Sequence, residues 1–182
     1  MSRLALVACL ALGTSAAADT YVVPSAEAPT IGIALTIASD GDEILLNPGT
    51  HFETLDMGTA NVSIRSVGGP DVTFIDAFGL GSCLRITGGQ SGIEIEGITF
   101  RNGSAPRGGG IYLTGSDATV RNCRFEDNEC LVAGGDGGAV FLENASMTFE
   151  DCAFVNNDSD NVGGAVYSRT NTTTSFTRCH FE

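Results

Sequence analysis

Two short motifs return together along the chain, the runs around them alternate apolar and polar residues, and 24 of 182 positions are glycine. These observations predict an all-β fold, a right-handed parallel β-helix: a single-stranded β-solenoid of about five coils with a short N-terminal capping helix. The first motif reads GGGIYL (108–113), GGAVFL (137–142) and GGAVYS (163–168), in steps of 29 and 26, with a weaker copy, GSCLRI, at 81–86. The second reads GITFRN (97–102), NCRFEDN (122–128), DCAFVNN (151–157) and RCHFE (178–182). Its phenylalanines, Phe100, Phe125, Phe154 and Phe181, are spaced by 25, 29 and 27. Two motifs sharing one period define one structural unit per repeat.

The first eighteen residues predict a cleaved export signal, residues 1–18, ahead of the fold. Arg3 supplies the positive start, Leu4 to Leu12 the apolar stretch, and Ala16-Ala17-Ala18 a cleavage site before Asp19. The apolar stretch is too short to span a membrane, and no later segment is long enough, so the mature chain is expected without a transmembrane segment and secreted or at the cell surface. Residues 19–42 are assigned to an N-terminal strand and helix cap. Tyr21 to Val23 reads as an edge strand. Apolar residues at 31, 34, 35 and 38 have helical spacing, with Thr30 as N-cap. Such a cap covers the open edge of the first coil.

Residues 43–182 are assigned to the β-helix. Ile44 to Leu46 begins the first coil and Asn47-Pro48-Gly49 turns it. Alternation of Ile93 and Ile95, Ala118 and Val120, Met147 and Phe149, and Thr174 and Phe176 with polar neighbours marks strands. Coils about 4.8 Å apart place equivalent residues above one another. Phe100, Phe125, Phe154 and Phe181 then form an internal aromatic stack, and Leu84, Ile111, Val140 and Val166 an aliphatic one. Cys83, Gly110, Ala139 and Ala165 share a slot for small side chains; Ile98, Cys123, Cys152 and Cys179 share another, where cysteine replaces Ile as a buried hydrophobe. Aligned Cβ atoms about 4.8 Å apart are slightly too far for a disulfide, so free thiols are expected. Asn128 and Asn157 each follow their Phe by three residues; left-handed turns and hydrogen bonds from coil to coil are expected there. The chain stops at Phe181-Glu182, where another unit is due, and a C-terminal truncation is expected.

With 22 acidic residues against nine arginines and no lysine, the net charge is −13. That excludes nucleic acid and anionic lipid as partners and disfavours tight capture of polyanions unless a cation bridges. The mature cysteines, Cys83, Cys123, Cys130, Cys152 and Cys179, contain no C-x-x-C and no nearby His, which argues against zinc. Five N-x-[ST] sequons (Asn61, Asn102, Asn144, Asn157, Asn171) matter only in a host that glycosylates exported proteins.

GGA-[ILV] followed by F-x-x-N resembles the repeat of the polymorphic outer membrane proteins. GGAV occurs twice, and FEDN (125–128) and FVNN (154–157) are complete; the copy at Phe100 has its Asn one place early, and Gly110 replaces the Ala. GDEILLNPGTHFE (41–53) and GGPDVTFIDA (68–77) are similar to the opening of pectin-lyase-like β-helix proteins. The resemblance covers about residues 30–182 and implies a fold more than an activity, since these relatives include enzymes and non-enzymes alike.

Resemblance to the pectate lyases implies a carboxylate cluster for calcium and a basic residue that takes a proton. Arg85, Arg121 and Arg124 are the candidate bases and Glu94, Glu96, Glu150 and Asp151 the carboxylates, with Arg121, Glu96 and Glu150 foremost. Against this, Glu96, Arg121 and Glu150 lie one coil apart, as an alternating surface charge ladder would. The paired aspartates, G-H-G and R-I-K of polygalacturonases are absent. GTHFE (49–53) has His51 where pectin methylesterases carry Tyr, and their Q-D motif is missing. No cofactor is expected; a calcium ion would fall to Asp158 and Asp160, although a solvated acidic turn is the simpler reading there. The sequence therefore favours a structural, adhesive or glycan-binding rod, with an extracellular glycan or surface protein as partner. The alternative is a carbohydrate-active enzyme, a pectate-lyase-like polysaccharide lyase or hydrolase.

Overall fold

The computed structural model describes residues 17–182 apart from 131 and 132, and the export signal expected over 1–18 falls almost wholly outside the described residues. The chain winds as a parallel β-solenoid of about six turns. The first sheet stacks Thr20–Val23, Glu43–Leu46, Ser63–Ser66, Ile93–Glu96, Asp117–Arg121, Ser146–Glu150 and Thr173–Thr177 in chain order. The second stacks Gly49–Phe52, Thr73–Asp76, Thr99–Arg101, Arg124–Glu126, Ala153–Val155 and His180–Phe181. The third stacks Leu55–Asp56, Leu84–Ile86, Ile111–Thr114, Val140–Glu143 and Val166–Arg169, and a two-strand ladder pairs Glu129–Cys130 with Asp158–Ser159. The coils before residue 81 close without a GGA element.

The predicted stacks exist. Phe100, Phe125, Phe154 and Phe181 lie ring over ring at 5.4, 4.9 and 4.7 Å, with interplanar angles of 14°, 6° and 4°. Phe149 packs edge-on against Phe125 and Phe154 at 6.1 and 5.4 Å. Leu84, Ile111, Val140 and Val166 are in register across the third sheet. Cys83, Cys123, Cys152 and Cys179 are free thiols, the first three of them buried.

Each corner of a coil needs one left-handed residue, and that need explains the Asn, Asp and Gly content. Between the first and second sheets the residue is Gly97, Asn122, Asp151 or Arg178, with φ of 72°, 47°, 54° and 53°. After the second sheet it is Asn102, Asp127 or Asn156, with φ of 53°, 52° and 53°. The left-handed turn expected at Asn128 and Asn157 thus sits one residue earlier. Those two asparagines instead form the internal ladder. The Asn128 amide donates to Phe100 O at 3.0 Å and to Asn157 Oδ1 at 3.1 Å, and Asn157 donates to Phe125 O at 2.9 Å. Gly103 occupies the same rung one coil earlier; a Cβ there would lie 1.8 Å from Gly109 O, which is why the motif at Phe100 departs from F-x-x-N.

In the GG pair, the first glycine is left-handed (φ 70° at Gly137) and the second is squeezed between coils. A Cβ on Gly138 would meet Asp158 O at 2.2 Å and Gly164 O at 2.4 Å. At the N-terminal end, helix α1 (Ile31–Ile37) begins at Thr30, whose side chain accepts from Ile33 N at 3.2 Å. Ile31, Ala34 and Leu35 are its buried face. Glu53 reaches from the first coil to accept from Ile31 N at 2.9 Å and Gly32 N at 2.8 Å, so a carboxylate holds the positive end of the helix.

Candidate functional site

Glu96, Arg121 and Glu150 occupy successive rungs on the outward side of the first sheet, Arg121 opposite both glutamates in register. Arg121 pairs with Glu150 at 3.0 Å and with Glu94, two residues along the strand from Glu96, at 3.2 Å. The hydrogen bond that Arg121 donates to Glu150, then the one it donates to Glu94, raises the Arg121 pKa above its ordinary value. These pairs hold the guanidinium proton more firmly, which opposes a role as general base.

The remaining sequence candidates lie apart from this group. Asp151 stands at the corner beside the first sheet and pairs with Arg178, whose hydrogen bonds lower the Asp151 pKa. Arg124 is on the second sheet with Glu126 at 3.2 Å. His51 and His180 are on the first and last strands of that sheet; His51 Nε2 lies 3.3 Å from Asn47 O. Asp158 and Asp160 are exposed, but Asp158 opens the short strand paired with Glu129–Cys130 where an acidic turn was expected, and its Oδ1 accepts from Ser159 N at 2.8 Å. Among the described residues no group of three or more His, Cys, Asp or Glu converges as a metal site.

Two cavities open on the loops between the second and third sheets. The larger, about 500 Å³, is lined by the exposed rings of Phe52 and Phe78, Leu80, Glu53 and Asp76. Its carboxylates are already occupied. Glu53 holds α1, while Asp76 accepts from Phe78 N at 3.0 Å, Arg101 Nε at 2.8 Å and Asn102 Nδ2 at 2.9 Å. This is a satisfied structural anion beneath an apolar notch.

The second cavity, about 360 Å³, is lined by Arg85, Ala105, Pro106, Arg107, Tyr112 and Gly134. It adjoins a row of side chains on the outward side of the third sheet, where Arg85, Tyr112, Phe141 and Tyr167 are consecutive rungs. Tyr112 stacks on Phe141 at 5.4 Å and 8°, and Tyr167 follows at 5.9 Å and 37°. Arg85 Cζ lies 4.5 Å from the Tyr112 ring centre. Arg107 and Arg169 lie 5.2 and 5.6 Å from the ring of Phe141, which is wholly buried. The ring faces are thus spent on one another and on guanidiniums, so the row presents arginine forks, phenol edges and hydroxyls to solvent. Arg85 alone of this set entered the sequence reading. The others were legible, because GGGIY, GGAVF and GGAVY each carry an aromatic directly after the buried aliphatic.

No helix among the described residues is long and apolar enough to cross a membrane. A family model described as a right handed beta helix region matches residues 60–182. No curated protein sequence matches this chain. Among solved structures, a pectin methylesterase variant in complex with hexasaccharide IV aligns with a TM-score of 0.58 at 15% identity, over 89% of this chain and 66% of that one. The pectin methylesterase from Aspergillus niger aligns at 0.51 and 16% identity, over 90% and 68% of the two chains. The carrot enzyme aligns at 0.50 and 13%, over 92% and 84%. At such identities the likeness is one of fold, and this chain spans just under two thirds of the first structure.

Proposed function

Because this chain belongs to the right-handed β-helix family, we propose that it engages an extended polysaccharide along the outward side of its third sheet. The observation that carries this is the row from Arg85 through Tyr112 and Phe141 to Tyr167. A polymer lying along the coils meets a hydrogen-bonding side chain at nearly every rung, already oriented by stacking, so little side-chain entropy is lost on binding. The structural likeness to pectin methylesterases, one of them complexed with a hexasaccharide, supports a polysaccharide as the ligand class. The apolar leader and the resemblance of the GGA and F-x-x-N units to polymorphic outer membrane protein repeats support an exported, surface-exposed rod.

Affinity electrophoresis of the purified chain in gels cast with polysaccharides of different charge tests this. Retardation that Tyr112→Phe and Tyr167→Phe weaken is expected; unchanged mobility of a folded chain in every gel rejects the proposal.

A catalytic reading is the second one, favoured by the breadth of the likeness, 89–92% of this chain, to three pectin methylesterase structures. On it the chain is a carbohydrate-active enzyme, such as a lyase or hydrolase. Incubation with polygalacturonate and with methyl-esterified pectin, with and without calcium, separates the two. Unsaturated uronate, reducing ends or methanol makes it an enzyme, whereas a chain that binds and releases none of them is a binding rod.

A further inference from the structure

The chain has nine arginines and 22 acidic residues, so carboxylates are plentiful. Arg65, Arg101, Arg121, Arg124, Arg169 and Arg178 each take one within 4.0 Å. Among the described residues Arg85 and Arg107 are the two that take none, and both line the same cavity of about 360 Å³. Carboxylates are within reach of this region but are engaged elsewhere. Asp56, in register with Arg85, accepts from Gly58 N at 2.9 Å. Asp136, in register with Arg107, accepts from Asn161 Nδ2 at 2.8 Å. Glu143 is held by Arg169.

Resting on the polysaccharide reading, we propose that this cavity is a subsite for an acidic sugar. The guanidiniums of Arg85 and Arg107 take the anionic oxygens of a carboxylate or sulfate ester, and the Tyr112 hydroxyl takes a ring hydroxyl. Three observations converge. The two forks are the arginines among the described residues that no carboxylate compensates, in a chain with a net charge of −13. Each is laid against a ring, Arg85 on Tyr112 and Arg107 on Phe141, which fixes its direction before a ligand arrives. The walls between them, Ala105, Pro106 and Gly134, are small and uncharged and leave room for a sugar ring. The net negative charge does not forbid this. At physiological ionic strength, charges more than about 8 Å away are largely screened, and fork-to-oxyanion contacts at about 2.8 Å dominate.

The test titrates the intact chain calorimetrically with a polygalacturonate oligomer, a sulfated galactan, a neutral galactan and free galacturonate. Binding of one acidic polymer, weakened about tenfold by Arg85→Gln or Arg107→Gln and unchanged by Arg65→Gln, is the expected result, and the acidic arm that binds identifies the anion. Arg85→Lys keeps the charge without the fork and should fall between; circular dichroism and melting confirm that each variant is folded. Equal affinity for the neutral galactan, or acidic binding indifferent to both glutamine variants, overturns the subsite while leaving the polysaccharide reading. Arginine-dependent binding of galacturonate with no polymer bound keeps the subsite and rejects that reading. No binding in any arm overturns both.

Discussion

Gly138 and Gly115 are both glycines of the winding chain, yet their replacement has different costs. A Cβ on Gly138 runs into two backbone carbonyls of the next coil, neither of which can rotate away. Gly138→Ala should therefore destabilise by about 3 kcal/mol or more, measured by urea unfolding. Gly115, with φ of 63°, has nothing within 4 Å of a Cβ, and its counterpart one coil on is Asn144 with φ of 50°. Gly115→Asn should change stability by less than about 1 kcal/mol. Asn128 is wholly buried and satisfies Phe100 O and Gly103 N, the latter at 3.0 Å. Asn128→Ala leaves both groups stranded and should cost about 2–3 kcal/mol in the same experiment.

Strands of two to five residues are too short to hold together alone, and their stability comes from the stacks they project inward. Phe125 sits between two rings and under Phe149, with no exposed surface, whereas Phe181 ends the stack at 49% exposed. Phe125→Leu should therefore lower the unfolding free energy by at least twice as much as Phe181→Leu, about 2 against 1 kcal/mol. The outward rungs behave differently. Arg121 is 39% exposed and joined to Glu94 and Glu150, and exposed pairs of this kind contribute about 0–1 kcal/mol. Arg121→Ala should barely move the melting temperature. If it also leaves any polysaccharide activity intact, the ladder on the first sheet is a solvated surface and not a catalytic row.

At the scale of the whole molecule, the winding holds three thiols, Cys83, Cys123 and Cys152, neutral and inside. Burial pushes Cys83 and Cys152 from an ordinary 9.0 up to about 12, and burial drives Cys123 up as well. A folded pKa above the unfolded one means the stabilisation is complete below pH 9 and is lost as pH rises from about 9 through about 12, because the unfolded chain releases those protons first. The urea midpoint should therefore fall across that window. The fall should be shallower in Cys83→Ala, a substitution its slot accommodates, since Ala139 is the residue two coils on. Below pH 9 the native buried thiols should resist a thiol-specific reagent that reacts readily once urea is added.

Period, core and corner chemistry could be read from the residues because a solenoid repeats one backbone path. Whatever fits one coil must fit the next, so Phe100, Phe125 and Phe154, in steps of 25 and 29, or Gly108 and Gly137, in a step of 29, return once per coil. Winding decided the rest. The neighbours of a surface side chain here lie about one coil away, and local spacing does not say which rotamer an arginine adopts or which carboxylate it reaches. Glu96 faces Arg121 in register, yet the guanidinium turns to Glu94 and Glu150. Arg85 faces Asp56 in register, yet lies over Tyr112 and stays unpaired. The left-handed residue likewise moved from Asn128 to Asp127, because the buried amide is needed to bridge Phe100 O and Asn157, and only the stacked coils bring those groups together.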